Sequence, residues 1–309
     1  MALLADIQII RRDKMAFDLD PKHETFTELQ TGKYPWWDNL KKNKNISIQI
    51  RKKNRIDVYY NGGAILGDLF YNDQKKAFSA RIHPKYIPLE KDNEYMTLSL
   101  TDTNVKIENI FEPMGFSNFE NEKLKLIMAR VKKYHDSESE KAIQFKFVTN
   151  DPYIIDAEFQ FDGSSRIDLV RLDVNSSKIV LIELKTIGDP RLFSDPTKDS
   201  KNIYHQLEKY HKYAIANENA LLAYYGKILQ VKNNLGLTNP SVRKLTLNGW
   251  KVEVRPLLAF GDCTKNWIKN NAIDIDKKIK DVAYGAYYFG DSDRSLDLIP
   301  KRQENRHVF

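Results

Sequence analysis

The sequence predicts an α/β fold, a mixed central sheet layered with helices behind a β-rich N-terminal module, and three features carry that expectation. Residues 46–71 alternate apolar and polar side chains between turn residues. A helical period over about 118–135 precedes four short apolar or alternating runs. Further helical stretches then lead to one more apolar run at 252–260. An order of helix, strands, helix and strand is what a sheet covered by helices requires.

In the N-terminal module, Ile46, Ile48 and Ile50 share one strand face and Ile56, Val58 and Tyr60 share a face of the next, with Lys52-Lys53-Asn54 between the two runs. Asn61-Gly62-Gly63 follows as a hairpin turn, because Asn and Gly accept the positive φ of a tight primed turn, and a third strand runs over 64–71. The second region opens on Ser117-Asn118-Phe119-Glu120, which fits a capping box, with Leu124, Ile127, Met128, Val131 and Tyr134 recurring at helical spacing behind it. Strands are expected over 143–149, 153–161, 166–173 and 178–185, with Asp162-Gly163-Ser164 and Asn175-Ser176-Ser177 as turns between the later ones. Helices are expected over about 200–217 and 219–231, and the tail from Asp262 reads as a helix plus irregular structure ending in ten polar and basic residues. No repeat and no Pro- or Gly/Ser-rich linker marks a boundary, so patterning alone divides the chain into a β-rich module at 1–113 and a second domain at 114–309.

Composition narrows the class. With 309 residues, 41% hydrophobic and 29% charged, the chain can bury a sizeable core. Its single cysteine, Cys263, leaves no disulfide framework and no structural zinc cluster, which points to a reducing cytoplasm. The N-terminal stretch places its basic residues after a short apolar run broken by Asp6, the reverse of a signal peptide, and no run approaches the roughly 20 apolar residues of a membrane span. A cytoplasmic protein away from the membrane is expected. Lys plus Arg exceed Asp plus Glu by 49 to 42, a net charge of +7. The excess is concentrated at 41–55, where Lys41, Lys42, Lys44, Arg51, Lys52, Lys53 and Arg55 form a basic stripe without an acid. Such a stripe fits a DNA-contacting β-ribbon whose cations sit on phosphates, with Tyr59, Tyr60, Trp36 or Trp37 available to pack or stack. It equally fits a solvated turn.

The informative chemistry lies in Arg166-Ile-Asp-Leu-Val-Arg-Leu-Asp173 followed by Lys178-Ile-Val-Leu-Ile-Glu-Leu-Lys185. On a strand the side-chain period is two, so Glu183 and Lys185 emerge on one face while Ile182 and Leu184 point into a core. Asp168 lies on the preceding strand, close enough for a hairpin to bring it alongside. Hard Mg²⁺ takes oxygen ligands and keeps several waters, so one or two carboxylates plus a substrate phosphate suffice for a site. A neighbouring lysine can orient the attacking water and offset charge developing on phosphate. Phosphodiester hydrolysis is the matching reaction.

These residues resemble the PD-(D/E)XK nuclease superfamily with its restriction-endonuclease-like αβββαβ core. Asp168 is similar to that pattern's metal-binding Asp, Glu183 to its second acid and Lys185 to its lysine, although Ile167 stands where the pattern has Pro. Gln206-Leu-Glu-Lys-Tyr210 resembles the Gln-x-x-x-Tyr element of RecB-type members, and its two named residues share a helix face at i and i+4. The likeness covers about 117–260. It implies Mg²⁺, or Mn²⁺, held by Asp168, Glu183 and the main-chain carbonyl of Leu184. It implies that Lys185 positions and activates water, and that Gln206 and Tyr210 support the lysine or the nucleic-acid backbone.

Such families often add an acid from the helix before the sheet. On a helical wheel Leu124, Ile127 and Val131 fall within about 40° of Glu120 while Glu122 lies about 200° away, so Glu120 is the inward candidate, though it is also the capping-box acid. In the loop after the strand, Thr186-Ile-Gly-Asp-Pro-Arg191, Arg191 could hold a phosphate or pair with Asp189 or Asp195. His205 and His211, six residues apart, occupy different helix faces and form no joint metal site. No phosphate-binding glycine loop, His-Glu-x-x-His pair or Gly-x-Ser-x-Gly elbow occurs.

The expectation is therefore a metal-dependent nuclease acting on DNA, with RNA left open as a substrate, and with an N-terminal module that positions DNA or a partner; a homodimer or a partner protein is the assembly considered, since double-strand cutting usually needs a dimer. A role in bacterial or phage defence rests on fold analogy alone. The rival is a non-catalytic scaffold of the same fold that binds nucleic acid or a partner.

Overall fold

The computed structural model describes residues 17–87, 96–101, 105–107, 121–134, 140–162, 165–261 and 263–289. They form a mixed α/β structure with two sheets, one antiparallel and six-stranded, the other mixed and five-stranded. The chain divides into two compact units, 1–137 with 227–239, and 138–226 with 240–309. The boundary thus falls at 137/138 instead of 113/114, because the helix at 121–134 packs with the first sheet. The 117–120 capping box, including Glu120, and the last ten residues lie outside the described residues.

In the first unit, helices α1 (Glu24–Gln30) and α2 (Pro35–Lys42) precede strands β1 (Ser47–Arg51), β2 (Arg55–Tyr60), β3 (Gly63–Asn72), β4 (Ala77–Ile82), β5 (Met96–Leu100) and β6 (Val105–Ile107), which pair in sequence order. Asn61 and Gly62 close the β2–β3 hairpin at φ 46° and 82°, as the turn chemistry predicts. Alternation in β1 is less simple than expected. Ser47 and Gln49 are buried and bonded to each other (2.6 Å) while Ile48 is only half-buried, because the buried Lys232 ammonium donates to Gln49 from the far end of a long helix (3.4 Å). Helix α3 (Asn121–Tyr134) completes the unit.

The second unit opens with helix α4 (Glu140–Asn150) and continues β7 (Ile154–Asp162), β8 (Ser165–Asp173), β9 (Lys178–Thr186), α5 (Ile203–Asn234), β10 (Lys251–Gly261), α6 (Lys265–Ile279) and β11 (Gly285–Tyr288). The sheet order is β7-β8-β9-β10-β11, antiparallel across β7, β8 and β9 and parallel from β9 to β11. The two parallel joins need crossovers, which α5 and α6 supply. Ile143, Phe147, Ile182, Leu184, Leu257 and Ala259 pack in one core layer, and Leu207, Leu258, Phe260 and Ile268 in another, so the sheet is apolar on both faces.

Two expectations change, at 143–149 and in the tail. Residues 143–149 were expected as a strand because Ile143, Phe145 and Phe147 alternate. They form α4 instead, burying Ala142, Ile143 and Phe147, and Ile143 sits so close to Gly261 that a Cβ there would lie 2.4 Å from it. The helices expected over 200–217 and 219–231 follow one another within α5 and meet at a kink at Asn217 (φ −127°, ψ 19°), whose side-chain amide donates to the Tyr213 carbonyl (3.0 Å). The residues of α5 to Gly226 belong to the second unit and the remainder to the first. The tail holds the expected helix, capped by Thr264 accepting from the Trp267 amide (3.2 Å), and then a fifth strand, β11, where irregular structure was expected.

A buried ion pair anchors the start of β7 to β8. Arg171 Nε donates to Asp151 Oδ2 (2.9 Å) while Asp151 Oδ1 accepts from the Tyr153 amide (2.9 Å), and both residues are buried. Removing one partner of such a pair strands the other charge without water. Asp151→Ala is expected to lower stability by about 3–5 kcal/mol, measured by urea denaturation of the full chain.

Candidate active site

The site lies in a fork between β8 and β9. Their pairing runs from Asp173–Lys178 to Leu169–Ile182 and stops there. Beyond that point β8 stays with β7, through Ile167–Phe159, and β9 stays with β10, through Glu183–Leu258 and Lys185–Phe260. Main-chain groups inside a fork still need partners, and here side chains supply them. Asp168 Oδ2 accepts from the Leu184 amide (2.8 Å), the Gln144 side chain of α4 donates to the Asp168 carbonyl (2.8 Å), and the Tyr210 hydroxyl of α5 lies against the Arg166 carbonyl.

The fork therefore gathers Asp168, Glu183, Leu184, Lys185, Gln206 and Tyr210, six residues that the sequence singled out. Glu183 and Lys185 are buried, at 0% and 1% exposure, and form an ion pair through Glu183 Oε1. The same ammonium donates to the Leu184 carbonyl at 3.0 Å. Tyr210 meets Glu183 Oε2 at 2.6 Å, and with one proton its hydroxyl donates to that oxygen or to the Arg166 carbonyl at any instant. Gln206 donates to the Tyr210 oxygen at 3.4 Å and so holds the phenol by a third contact.

Electrostatics follow from this crowding. Burial, and then the Glu183 carboxylate, push the Asp168 carboxyl well above its ordinary range. Burial alone would discharge Lys185, but Glu183, Asp168 and Glu140 outweigh it and the ammonium is held above its usual value. Burial, reinforced by Glu183 and Asp168, raises the Tyr210 phenol well above its ordinary value, so it stays a donor. A desolvated acid pair sharing one lysine is a costly arrangement for stability and a common one for function.

Two residues of this site were not anticipated. Glu140, in the first turn of α4, brings Oε2 to 3.9 Å from the Lys185 ammonium, and burial raises its carboxyl despite the lysine's opposing pull. Gln144 stands one turn further on. Their i, i+4 spacing would have revealed both, had 143–149 been read as part of a helix.

The other candidates separate. Asp189 accepts from the Arg191 main-chain amide (2.9 Å) and side-chain Nε (2.9 Å), so Arg191 is drawn back onto its own turn, and the bond to Asp189 raises its guanidinium above the usual value. In the basic stripe, Lys41 pairs with Asp38 (3.0 Å), Arg51 with Asp57 (2.8 Å), and Arg55 stacks 3.5 Å from the Phe70 ring centre. Burial, then Lys53, lowers Lys52, whereas Lys42, Lys44 and Lys53 are exposed. Trp36, Trp37 and Tyr60 are buried in the core and offer no stacking platform, and burial raises the Tyr59 phenol to about 12. His205 and His211 bond the carbonyls of Pro196 (2.8 Å) and Val254 (3.0 Å), consistent with structural roles.

Two variants test this geometry. Tyr210→Phe removes the hydroxyl that meets Glu183 Oε2 at 2.6 Å and should cost roughly 1–3 kcal/mol by thermal unfolding. For Asp189, burial works against ionisation, but the bonds from the Arg191 side chain and amide win and hold its carboxyl below the ordinary value. Its stabilisation is present above the unfolded-state value and is lost as pH falls. Asp189→Asn should therefore melt earlier than the parent at pH 7, with the gap closing below about pH 4. Among the described residues no group of three or more His, Cys, Asp or Glu is arranged as a ready metal cage, and no helix is long and apolar enough to cross a membrane. No family model matches the chain, and neither curated proteins nor solved structures provide a match.

Proposed function

We propose that this chain is a metal-dependent nuclease of the PD-(D/E)XK type, hydrolysing phosphodiester bonds with DNA as its first substrate. The observation that carries the reading is the meeting of Asp168 with Glu183-Leu184-Lys185 in the β8–β9 fork, under the Gln206 and Tyr210 face of α5. The order α4-β7-β8-β9-α5-β10 supports a restriction-endonuclease-like core. So does the mixed sheet, which turns parallel at β9 and β10.

The donor set suits a hard divalent cation. Asp168, Glu183 and the Leu184 carbonyl offer oxygens only, and the mutual repulsion of the half-buried Asp168 and the buried Glu183 carboxylates is what a cation would relieve. Mg²⁺ or Mn²⁺, when bound, would supply Lewis acidity toward a phosphate oxygen and acidify a water. In this reading Lys185 orients the attacking water and offsets charge on the phosphate. Tyr210, steadied by Gln206, holds Glu183 in place. Water loses a proton to solvent as it adds to phosphorus, the bond to the leaving sugar oxygen breaks, and that oxygen takes up a proton from solvent. Lys42, Lys44 and Lys53 are the exposed members of the basic stripe and are proposed to contact the nucleic-acid backbone.

The non-catalytic scaffold gains some support from the fully bonded Glu183 and from the lack of a ready cage among the described residues. Incubation with supercoiled plasmid, linear duplex, single-stranded DNA and RNA, each with Mg²⁺ or Mn²⁺, separates the two. Metal-dependent cutting is expected, reduced at least about 100-fold by Glu183→Gln and by Lys185→Ala. Folded protein that cuts none of these and shows no Mn²⁺-dependent rise in melting temperature would overturn the nuclease in favour of the scaffold.

A further inference from the structure

The Lys185 ammonium sits on two oxygens that the reading above assigns to a divalent cation, Glu183 Oε1 and the Leu184 carbonyl (3.0 Å). At 1% exposure the lysine has no water shell to screen it. An ammonium and a divalent cation cannot share the same oxygens in so dry a place, because their repulsion grows as the dielectric falls. Metal entry therefore requires the ammonium to leave, and a displaced buried charge needs another partner at hand. Glu183 and Asp168 are the acids that the reading above gives to the metal, which leaves Glu140 Oε2, 3.9 Å from Nζ, on a side chain 39% exposed and thus open toward solvent. Lys185 has a flexible four-carbon stem, so such a move needs only a rotamer change.

We propose that Lys185 is a built-in placeholder cation, and that a divalent metal displaces its ammonium from Glu183 and Leu184 onto Glu140. Loading the metal and freeing the lysine are then one event, and Glu140 is a positioning residue that receives the lysine, not a metal ligand. The inference rests on the metal-dependent reading and deepens it, since the lysine is unavailable to water or phosphate until the metal arrives.

A double-mutant cycle on Mn²⁺ affinity tests this without any activity measurement. The full chain, Lys185→Met, Glu140→Gln and the double variant would be titrated with Mn²⁺ by calorimetry. Lys185→Met removes the competitor and is expected to tighten Mn²⁺ binding about tenfold or more. Glu140→Gln removes the alternative seat and should weaken binding roughly threefold to tenfold in the parent, but by less than about twofold in the Lys185→Met background. An equal loss in both backgrounds would make Glu140 a direct ligand and overturn the proposal. Unchanged affinity on Lys185→Met would overturn it as well. Absence of Mn²⁺ binding in all four proteins would sink the metal reading itself. A second measurement needs no variant: acetylation of Lys185 by an activated ester, followed by mass spectrometry, with EDTA or with Mn²⁺. Several-fold faster acetylation with Mn²⁺ is expected, and equal protection in both conditions would defeat the displacement.

Discussion

The carboxylate of Asp168 accepting the Leu184 amide is the contact on which the site depends. Where β8 and β9 part, a main-chain donor on one strand and a main-chain acceptor on the other lose each other. Asp168 takes the donor (2.8 Å) and Gln144 satisfies its carbonyl (2.8 Å). The fork is thereby held open by side chains, and the space it makes is where Glu183, Lys185 and Tyr210 meet.

The neighbourhood explains how so much charge survives burial. Core layers on both faces of the sheet keep water out, which strengthens every contact inside and makes each unpaired group expensive. Glu183 is bonded through both oxygens, one to Lys185 and one to Tyr210. Lys185 is placed locally by strand alternation, whereas Tyr210 arrives on a crossover helix that the parallel join of β9 to β10 demands. Site and topology thus share a cause, because the same crossover that makes the sheet parallel delivers the phenol to the acid.

The basic stripe shows the opposite behaviour. Seven cations lie within 41–55 in the sequence, yet Lys41 and Arg51 are committed to Asp38 and Asp57, and Arg55 lies on Phe70. The neighbouring tryptophans belong to the core. Charge density along the chain overstated the free charge on the surface, since the folded chain brings acids from beyond the stripe to meet it.

Local rules were sufficient for the first three of the six strands of the first unit, the Asn61-Gly62 turn, the strands that carry Asp168 and Glu183, and the facing of Glu183 and Lys185 opposite Ile182 and Leu184. Side-chain period and turn chemistry act within a few residues, so they are readable one segment at a time. They failed at 143–149, where an alternating run is helical because Ile143 packs closely at Gly261, and with that helix went Glu140 and Gln144. They also left Arg191 undecided between phosphate and Asp189. Which ions pair, where two strands stop pairing, and which acid stands beside Lys185 are set by contacts between segments distant along the chain, and only the tertiary structure decides them.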